Sequence, residues 1–157
     1  MALRVLVAED CPVMQRSIRE LLERADIRTL VETCDGQEAV GLAVEMQPDV
    51  AILDYSMPGM NGINASRAIL LECPQMPIIL LTTTAAEYLI VAALNAGIRG
   101  YVLKRDAGDN LVRAIHAVRR GATYLSPRAA RALRNGYPQP EEQTRERFPH
   151  SCSVADS

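Results

Sequence analysis

Short apolar runs alternate five times with amphipathic segments between Leu3 and Gly121. Each run has the length of a strand, and each segment that follows repeats apolar residues every three or four positions, as a helix does. Such alternation is typical of an α/β protein in which right-handed crossovers build a doubly wound parallel sheet. We therefore predict a five-stranded parallel sheet with helices on both faces, with strands over 3–8, 29–33, 50–53, 77–81 and 100–103.

Helix signals and local composition divide the chain into three parts. The last alternating helix begins after Asp106, a predicted N-cap, and ends at Gly121. A short basic helix is predicted over 128–134, with Ser126 as its cap and Pro127 at its first position. Beyond this helix the apolar periodicity stops, and Pro, Glu, Gln, Ser and Arg dominate. We expect a folded domain over 1–121, a linker with a short basic helix over 122–137, and a disordered tail over 138–157.

Composition narrows the classes of partner and compartment. The formal net charge of -2 gives no overall reason to expect nucleic acid or an anionic membrane as a partner. Apolar stretches are too short to span a bilayer, and the N-terminus has no signal-peptide architecture. The cysteines lack the spacing of a zinc site and are expected to be free thiols, so a cytoplasmic location without membrane association is predicted. They are Cys11, Cys34, Cys73 and Cys152.

One carboxylate stands where a predicted strand meets a loop. The apolar run 50–53 ends at Asp54, and the turn formers Pro58, Gly59 and Gly62 follow. In open α/β sheets, ligands bind beyond the carboxyl ends of the strands, which is where Asp54 lies. Two interpretations stay open from this stretch alone: a nucleophile that accepts a phosphoryl group, or an aspartate that caps the loop.

Polar side chains also follow three other predicted strands. Glu9 and Asp10 follow the first, Thr82 the fourth and Lys104 the fifth. Taken one at a time, these residues have structural explanations. Acidic residues are favourable near a helix N-terminus, and threonine and lysine are common at strand ends. Together with Asp54 they make a site in which Mg²⁺ would relieve repulsion between carboxylates and assist phosphoryl transfer. The lysine would add a positive charge and the threonine a hydroxyl donor.

These strand ends and the loop after Asp54 resemble the receiver domain of bacterial two-component response regulators over residues 3–121. The resemblance implies a flavodoxin-like fold with strand order 2-1-3-4-5. It also implies Mg²⁺-dependent transfer of a phosphoryl group from a histidine kinase or phosphotransfer protein to Asp54, with weak self-dephosphorylation rather than enzymatic turnover. The features that carry it are Glu9-Asp10, Asp54, Met57-Pro58-Gly59-Met60-Asn61-Gly62, Thr82 and Gly100-Tyr101-Val102-Leu103-Lys104.

The resemblance also assigns roles to residues. It implies that the metal is held by Glu9, Asp10, Asp54 and the backbone carbonyl of Ser56. Thr82 and Tyr101 would form a switch pair, in which the hydroxyl moves toward the phosphoryl group and the tyrosine ring turns inward. The surface changed by this switch would be the face of the fourth helix, fifth strand and fifth helix, which is a candidate homodimer face.

Residues 104–107 and 117–127 resemble the NarL/FixJ subfamily, in which a linker leads to a helix-turn-helix DNA-binding domain. About twenty polar residues follow the basic helix here, so we expect no such output domain in this chain. Arg128, Arg131 and Arg134 lie on one stripe, and we expect a solvated linker helix without direct DNA binding. A receiver that signals through a protein partner and a fragment of a DNA-binding regulator both stay open. An aspartate-nucleophile phosphohydrolase is the weaker alternative, because Ser56 stands where its second acid would be.

Overall fold

Strands and helices alternate along the chain in the predicted order. The computed structural model describes residues 3–136, and the predicted disordered tail over 138–157 lies outside them. A single turn of 3-10 helix, Lys104–Asp106, joins the fifth strand to the fifth helix. The elements are β1 Arg4–Ala8, α1 Pro12–Arg24, β2 Arg28–Thr33, α2 Gly36–Met46, β3 Val50–Asp54, α3 Gly62–Glu72, β4 Ile78–Thr82, α4 Glu87–Asn95, β5 Gly100–Leu103, α5 Ala107–Arg119, β6 Tyr124–Leu125 and α6 Pro127–Gly136.

All strands pair in parallel in the order β2-β1-β3-β4-β5-β6. The predicted fold class and the predicted order of the first five strands are confirmed. The prediction of five strands is wrong by one, because β6 extends the sheet at its edge. The N–H of Tyr124 donates to Arg99 O at 2.8 Å, and that of Ser126 donates to Tyr101 O at 2.9 Å. A two-residue strand is too short to show a periodic pattern in the sequence.

The sheet separates two apolar layers. Helices α2, α3, α4 and α6 pack on one face, and α1 and α5 pack on the other. Every residue of β3 and of β4 is buried, as expected for central strands covered on both faces. One face of α5 is also buried, through Leu111, Ala114, Ile115 and Val118. Within residues 3–136, no helix is long and apolar enough to cross a bilayer.

Helix α6 docks on the sheet with one of its faces. Ala129 is fully buried in the layer that contains α4, and Leu133 packs against that layer. The expectation of a solvated helix is therefore wrong for this face and holds only for the arginine face, where Arg131 is exposed. Ser126 precedes the helix as predicted, but its Oγ accepts a hydrogen bond from Leu103 N at 3.2 Å, which ties α6 to β5.

Candidate functional site

The strand register brings four polar strand ends to one edge of the sheet. Leu53 pairs with Ala8, Asp54 pairs with Leu81, and Thr82 pairs with Leu103. Because these strands run parallel and in step, the residues that follow them emerge side by side. The residues predicted from separate parts of the sequence thus lie together at the carboxyl edge of β1, β3, β4 and β5.

Lys104 joins the carboxylates from two other strands. Its Nζ donates hydrogen bonds to Glu9 Oε2 and to Asp54 Oδ2, each at 3.0 Å. The side chains of Glu9 and Asp54 are 0% and 3% exposed, and that of Lys104 is 19% exposed. Two nearly buried carboxylates therefore share one ammonium group, which leaves one negative charge in excess when all three groups are ionised.

Burial and hydrogen bonds shift the pKa values of Glu9 and Lys104. It raises the pKa of Glu9, although hydrogen bonds from Cys11 N–H and from Lys104 act in the opposite direction. Burial by itself would lower the pKa of Lys104, but the hydrogen bonds to Asp54 and Glu9 raise it overall. Lys104 is therefore held in its charged form, and burial favours the protonated form of Glu9.

The carboxylate pair offers oxygens to a cation, although the described side chains do not converge as a preformed metal cage. Glu9 Oε1 is buried and lacks a hydrogen-bond partner within residues 3–136. A buried unpartnered carboxylate oxygen beside a second carboxylate is a donor set that suits Mg²⁺. Asp10, predicted as a third ligand, lies at the same rim but is exposed. Ser56, whose carbonyl was the fourth predicted ligand, donates its N–H to Asp54 Oδ1 at 3.2 Å.

Thr82 and Tyr101 lie beside one another and share Thr84 as a neighbour. Thr82 Oγ1 accepts a hydrogen bond from Thr84 N at 3.3 Å. The Tyr101 ring is fully buried, and its hydroxyl donates to Thr84 O at 2.8 Å. Burial raises the pKa of the Tyr101 phenol well above its ordinary value. The structure thus places both predicted switch residues together, with the tyrosine ring turned inward.

The loop after Asp54 turns back tightly onto β3. Gly62 N–H donates to Tyr55 O at 2.8 Å, and Asn61 begins α3 by accepting a hydrogen bond from Asn64 N at 2.8 Å. A Cβ on Gly62 would lie 2.5 Å from the backbone oxygen of Asp54. Only glycine allows this close approach, so Gly62 fixes the path of the chain beneath the acidic residue.

Two residues at the start of α6, Ser126 just before it and Ala129 in its first turn, were not identified as site residues from the sequence. Ser126 is buried and bonds to the backbone of Tyr101 and of Leu103, the residue before Lys104. Ala129 belongs to the same apolar layer as Tyr101. The signal that could have revealed this docking is the alanine and leucine face opposite the arginines of α6.

Comparisons with known proteins show which family the chain resembles. A family model described as "Response regulator receiver domain" matches residues 5–116. The oxygen regulatory protein NreC of Staphylococcus carnosus is 33% identical over 86% of this chain and 63% of its own length. A nitrate/nitrite response regulator protein homolog of Haemophilus influenzae is 33% identical over 79% of this chain and 60% of its own length. The chain thus spans about three fifths of the length of the curated relatives it matches.

Solved structures show the same fold. A two-component response regulator of the LuxR family from Aurantimonas sp. superposes with a TM-score of 0.82 at 30% identity, covering 86% of this chain and 97% of that one. The isolated receiver domain of RcsB from Salmonella enterica serovar Typhimurium, solved with the phosphomimetic BeF3-, has a TM-score of 0.78 at 28% identity. That match covers 85% of this chain and 99% of that one.

Proposed function

Since the chain belongs to the response regulator receiver family, we propose that Asp54 is the residue that accepts the phosphoryl group in its two-component system. The observation that carries the proposal is the ammonium group of Lys104, held at 3.0 Å from both Glu9 and Asp54 at the end of a buried strand. Burying the charges of Lys104, Glu9 and Asp54 together costs solvation free energy. Charged clusters of this kind are common at functional sites, and binding a phosphoryl group is a function that suits this one.

The proposed step is phosphoryl transfer to a carboxylate. An Asp54 oxygen forms a bond to phosphorus while the bond from phosphorus to the donor breaks, and the donor group leaves with the electron pair. Lys104 then contacts a phosphoryl oxygen, and Thr82 donates its hydroxyl to another. Mg²⁺, when bound, supplies positive charge that offsets the charge on the phosphoryl oxygens. Glu9, Asp10, Asp54 and the carbonyl of Ser56 would hold it.

The proposed response to phosphorylation passes through Thr82 and Tyr101. Thr84 contacts both residues, so movement of the Thr82 hydroxyl toward the phosphoryl group disturbs the Tyr101 hydrogen bond. The donor would be a histidine kinase or a phosphotransfer protein in the cytoplasm. The face of α4, β5 and α5 stays the proposed homodimer face, although α6 already packs along α4.

The similarity to transcriptional regulatory proteins suggests a DNA-binding output as the second proposal for the whole protein. It rests on the lengths of the relatives, because about two fifths of each relative's sequence lies outside the match. Signalling through a protein partner remains the alternative. A phosphohydrolase is less well supported, because the position of its second acid is occupied by Ser56, whose hydroxyl cannot replace a carboxylic acid as proton donor.

Substitution of the acceptor tests the proposal directly. Wild-type protein and the Asp54→Asn variant are incubated with acetyl phosphate and Mg²⁺, and intact mass is measured. The wild type should gain one phosphoryl group that hydroxylamine removes, and the variant should gain none. Asp109→Asn, which changes an exposed carboxylate in α5, is the matched control and should label like the wild type. Full labelling of Asp54→Asn would refute the assignment.

A further inference from the structure

Charge is distributed unevenly between the two edges of the sheet. Residues 10–49, which include the edge strand β2 and its flanking helices, contain nine acidic residues and four arginines. Residues 105–136, which include the opposite edge strand β6 with α5 and α6, contain seven arginines and two aspartates. The overall charge of -2 therefore conceals an acidic edge and a basic edge at opposite ends of the sheet.

Helix α5 supplies part of the basic edge. Asn110 contacts β6 by accepting a hydrogen bond from the Tyr124 hydroxyl. Arg113 and Arg120 follow Asn110 by three and ten residues, and the buried Ala117 lies between them on the same flank. Both arginines are exposed. The flank of α5 that borders β6, together with Arg120 immediately after the end of the helix, therefore presents two guanidinium groups to solvent.

Helix α6 supplies the rest from the other face of the sheet. Ala129 faces the core, so Arg128, Arg131 and Arg134 on the opposite side of the helix face solvent, and all three are exposed. Arg128 Nε lies 3.9 Å from Asp106 Oδ1, which places the start of this stripe near the start of α5. We name the set Arg113, Arg120, Arg128, Arg131 and Arg134 the basic edge.

The charges of the basic edge are almost uncompensated. Of its five arginines, only Arg128 forms an ion pair among the described residues. Self-repulsion among arginines without acidic partners opposes folding, and an anionic ligand would relieve it. The planar guanidinium group binds phosphate oxygens with two parallel hydrogen bonds, whereas lysine, absent from residues 105–136, binds as a point charge.

The chemistry of the surface favours nucleic acid over an acidic protein. The large apolar side chains that are exposed in the described part of the chain are Val13, Leu71 and Tyr88, and none belongs to residues 105–136. Protein interfaces usually have an apolar or aromatic centre, whereas nucleic-acid interfaces are polar and strongly positive. The single aromatic side chain of residues 105–136, Tyr124, is half-buried and bonded to Asn110, so no ring is available to stack on bases.

We propose that the basic edge binds the phosphate backbone of duplex nucleic acid without reading its sequence. The stripe from Arg128 to Arg134 is about 9 Å long at 1.5 Å per residue, which matches roughly three base-pair steps of about 3.4 Å. From the sequence alone we expected no direct DNA binding, because it showed only three arginines on one helix. The fold adds Arg113 and Arg120 to the same edge.

Fluorescence anisotropy with a labelled duplex of arbitrary sequence tests the proposal on the full chain. Five phosphate contacts predict that affinity falls about 500-fold between about 50 and 200 mM salt. The triple variant Arg128→Gln, Arg131→Gln and Arg134→Gln retains two contacts, so its affinity should fall only about 12-fold over the same range. The double variant Arg113→Gln and Arg120→Gln should lower the slope of log affinity against log salt by about 1.8.

A charge-matched variant separates position from net charge. Arg24→Gln, Arg28→Gln and Arg67→Gln remove three exposed arginines elsewhere on the surface and should leave the salt slope unchanged. Equal weakening by this control, or an unchanged slope in the α6 variant, would overturn the proposal. Tighter binding of polyglutamate than of the duplex, in competition at equal charge, would assign the surface to an acidic protein and overturn it as well. Circular dichroism should show that all variants keep their helices.

Discussion

Replacing Lys104 by methionine removes the single ammonium group between two buried carboxylates. The side chains of Glu9 and Asp54 are 0% and 3% exposed, so water cannot replace the lost charge without opening the site. Methionine preserves most of the length and apolar stem of lysine. The substitution therefore isolates the charge and its two hydrogen bonds from side-chain packing.

Removing one partner of a buried ion pair costs about 3–5 kcal/mol of folding free energy. Because the Lys104 side chain is 19% exposed, we take the lower end, about 3 kcal/mol. Unfolding entropy of about 2.1 cal/mol/K per residue over the folded part converts this loss to a decrease in Tm of roughly 10 °C.

The pH dependence of this loss identifies its electrostatic origin. Burial already raises the pKa of Glu9, and loss of Lys104 removes a group that opposes this shift. A carboxyl group with a raised pKa in the folded state binds more protons there than in the unfolded chain. Stability therefore falls as pH rises above the unfolded value of about 4.3. The variant should be destabilised most near neutral pH and least near about pH 5.

Thermal unfolding of Lys104→Met, with Arg105→Met as the control, measures the effect. Arg105 is exposed, so its replacement should change Tm by only a degree or two. Added Mg²⁺ should restore part of the Tm lost in Lys104→Met, because it supplies positive charge to the same carboxylates. Equal destabilisation at both pH values, or no greater loss than in the control, would refute the electrostatic reasoning.

Three further changes probe the fold around the site. Ser126→Ala leaves the buried Leu103 N–H without its acceptor and should cost about 1–3 kcal/mol in denaturant unfolding, while the exposed Ser17→Ala should cost little. Gly62→Ala places a Cβ 2.5 Å from Asp54 O and should lower the free energy of unfolding by about 1–3 kcal/mol. Its control is Gly41→Ala, which has open space around the new Cβ and should stabilise α2. In alkaline absorbance titration, the Tyr101 phenol should ionise well above its ordinary pKa of about 10, because burial raises its pKa, and stability should decline above about pH 10 as unfolded chains ionise. If the Tyr101→Phe variant still showed a tyrosine that ionises at unusually high pH, the assignment of that signal to Tyr101 would be contradicted.

Local sequence patterns were sufficient for most of the fold. Alternation of apolar runs and helical periodicity identified β1 to β5 along the chain, because period and turn chemistry are properties of neighbouring residues. The order of these strands in the sheet came from the resemblance to the receiver family. The same patterns placed Glu9, Asp54, Thr82 and Lys104 at strand ends. Edge strand β6 was not predicted, because a strand of two residues is too short to show a periodic pattern of apolar residues.

Tertiary structure decided which groups meet. Lys104 reaches residues 95 and 50 positions away along the chain, and strand register and side-chain direction determine those distances. The same packing leaves Asp10 exposed although it is adjacent in sequence to the buried Glu9. A pattern along the chain can identify the ends of strands, but hydrogen bonds between distant groups depend on how the strands align.

The contrast is greatest at the last helix. The sequence by itself determined that residues 128–134 are helical and that three arginines share a stripe, because both follow from local propensity and a period of 3.6 residues. It did not determine whether the opposite face is solvated. Only the folded sheet offers the apolar surface that buries Ala129, and only that docking directs the arginines outward beside those of α5. Burial of apolar area against a distant element is a property of the tertiary structure.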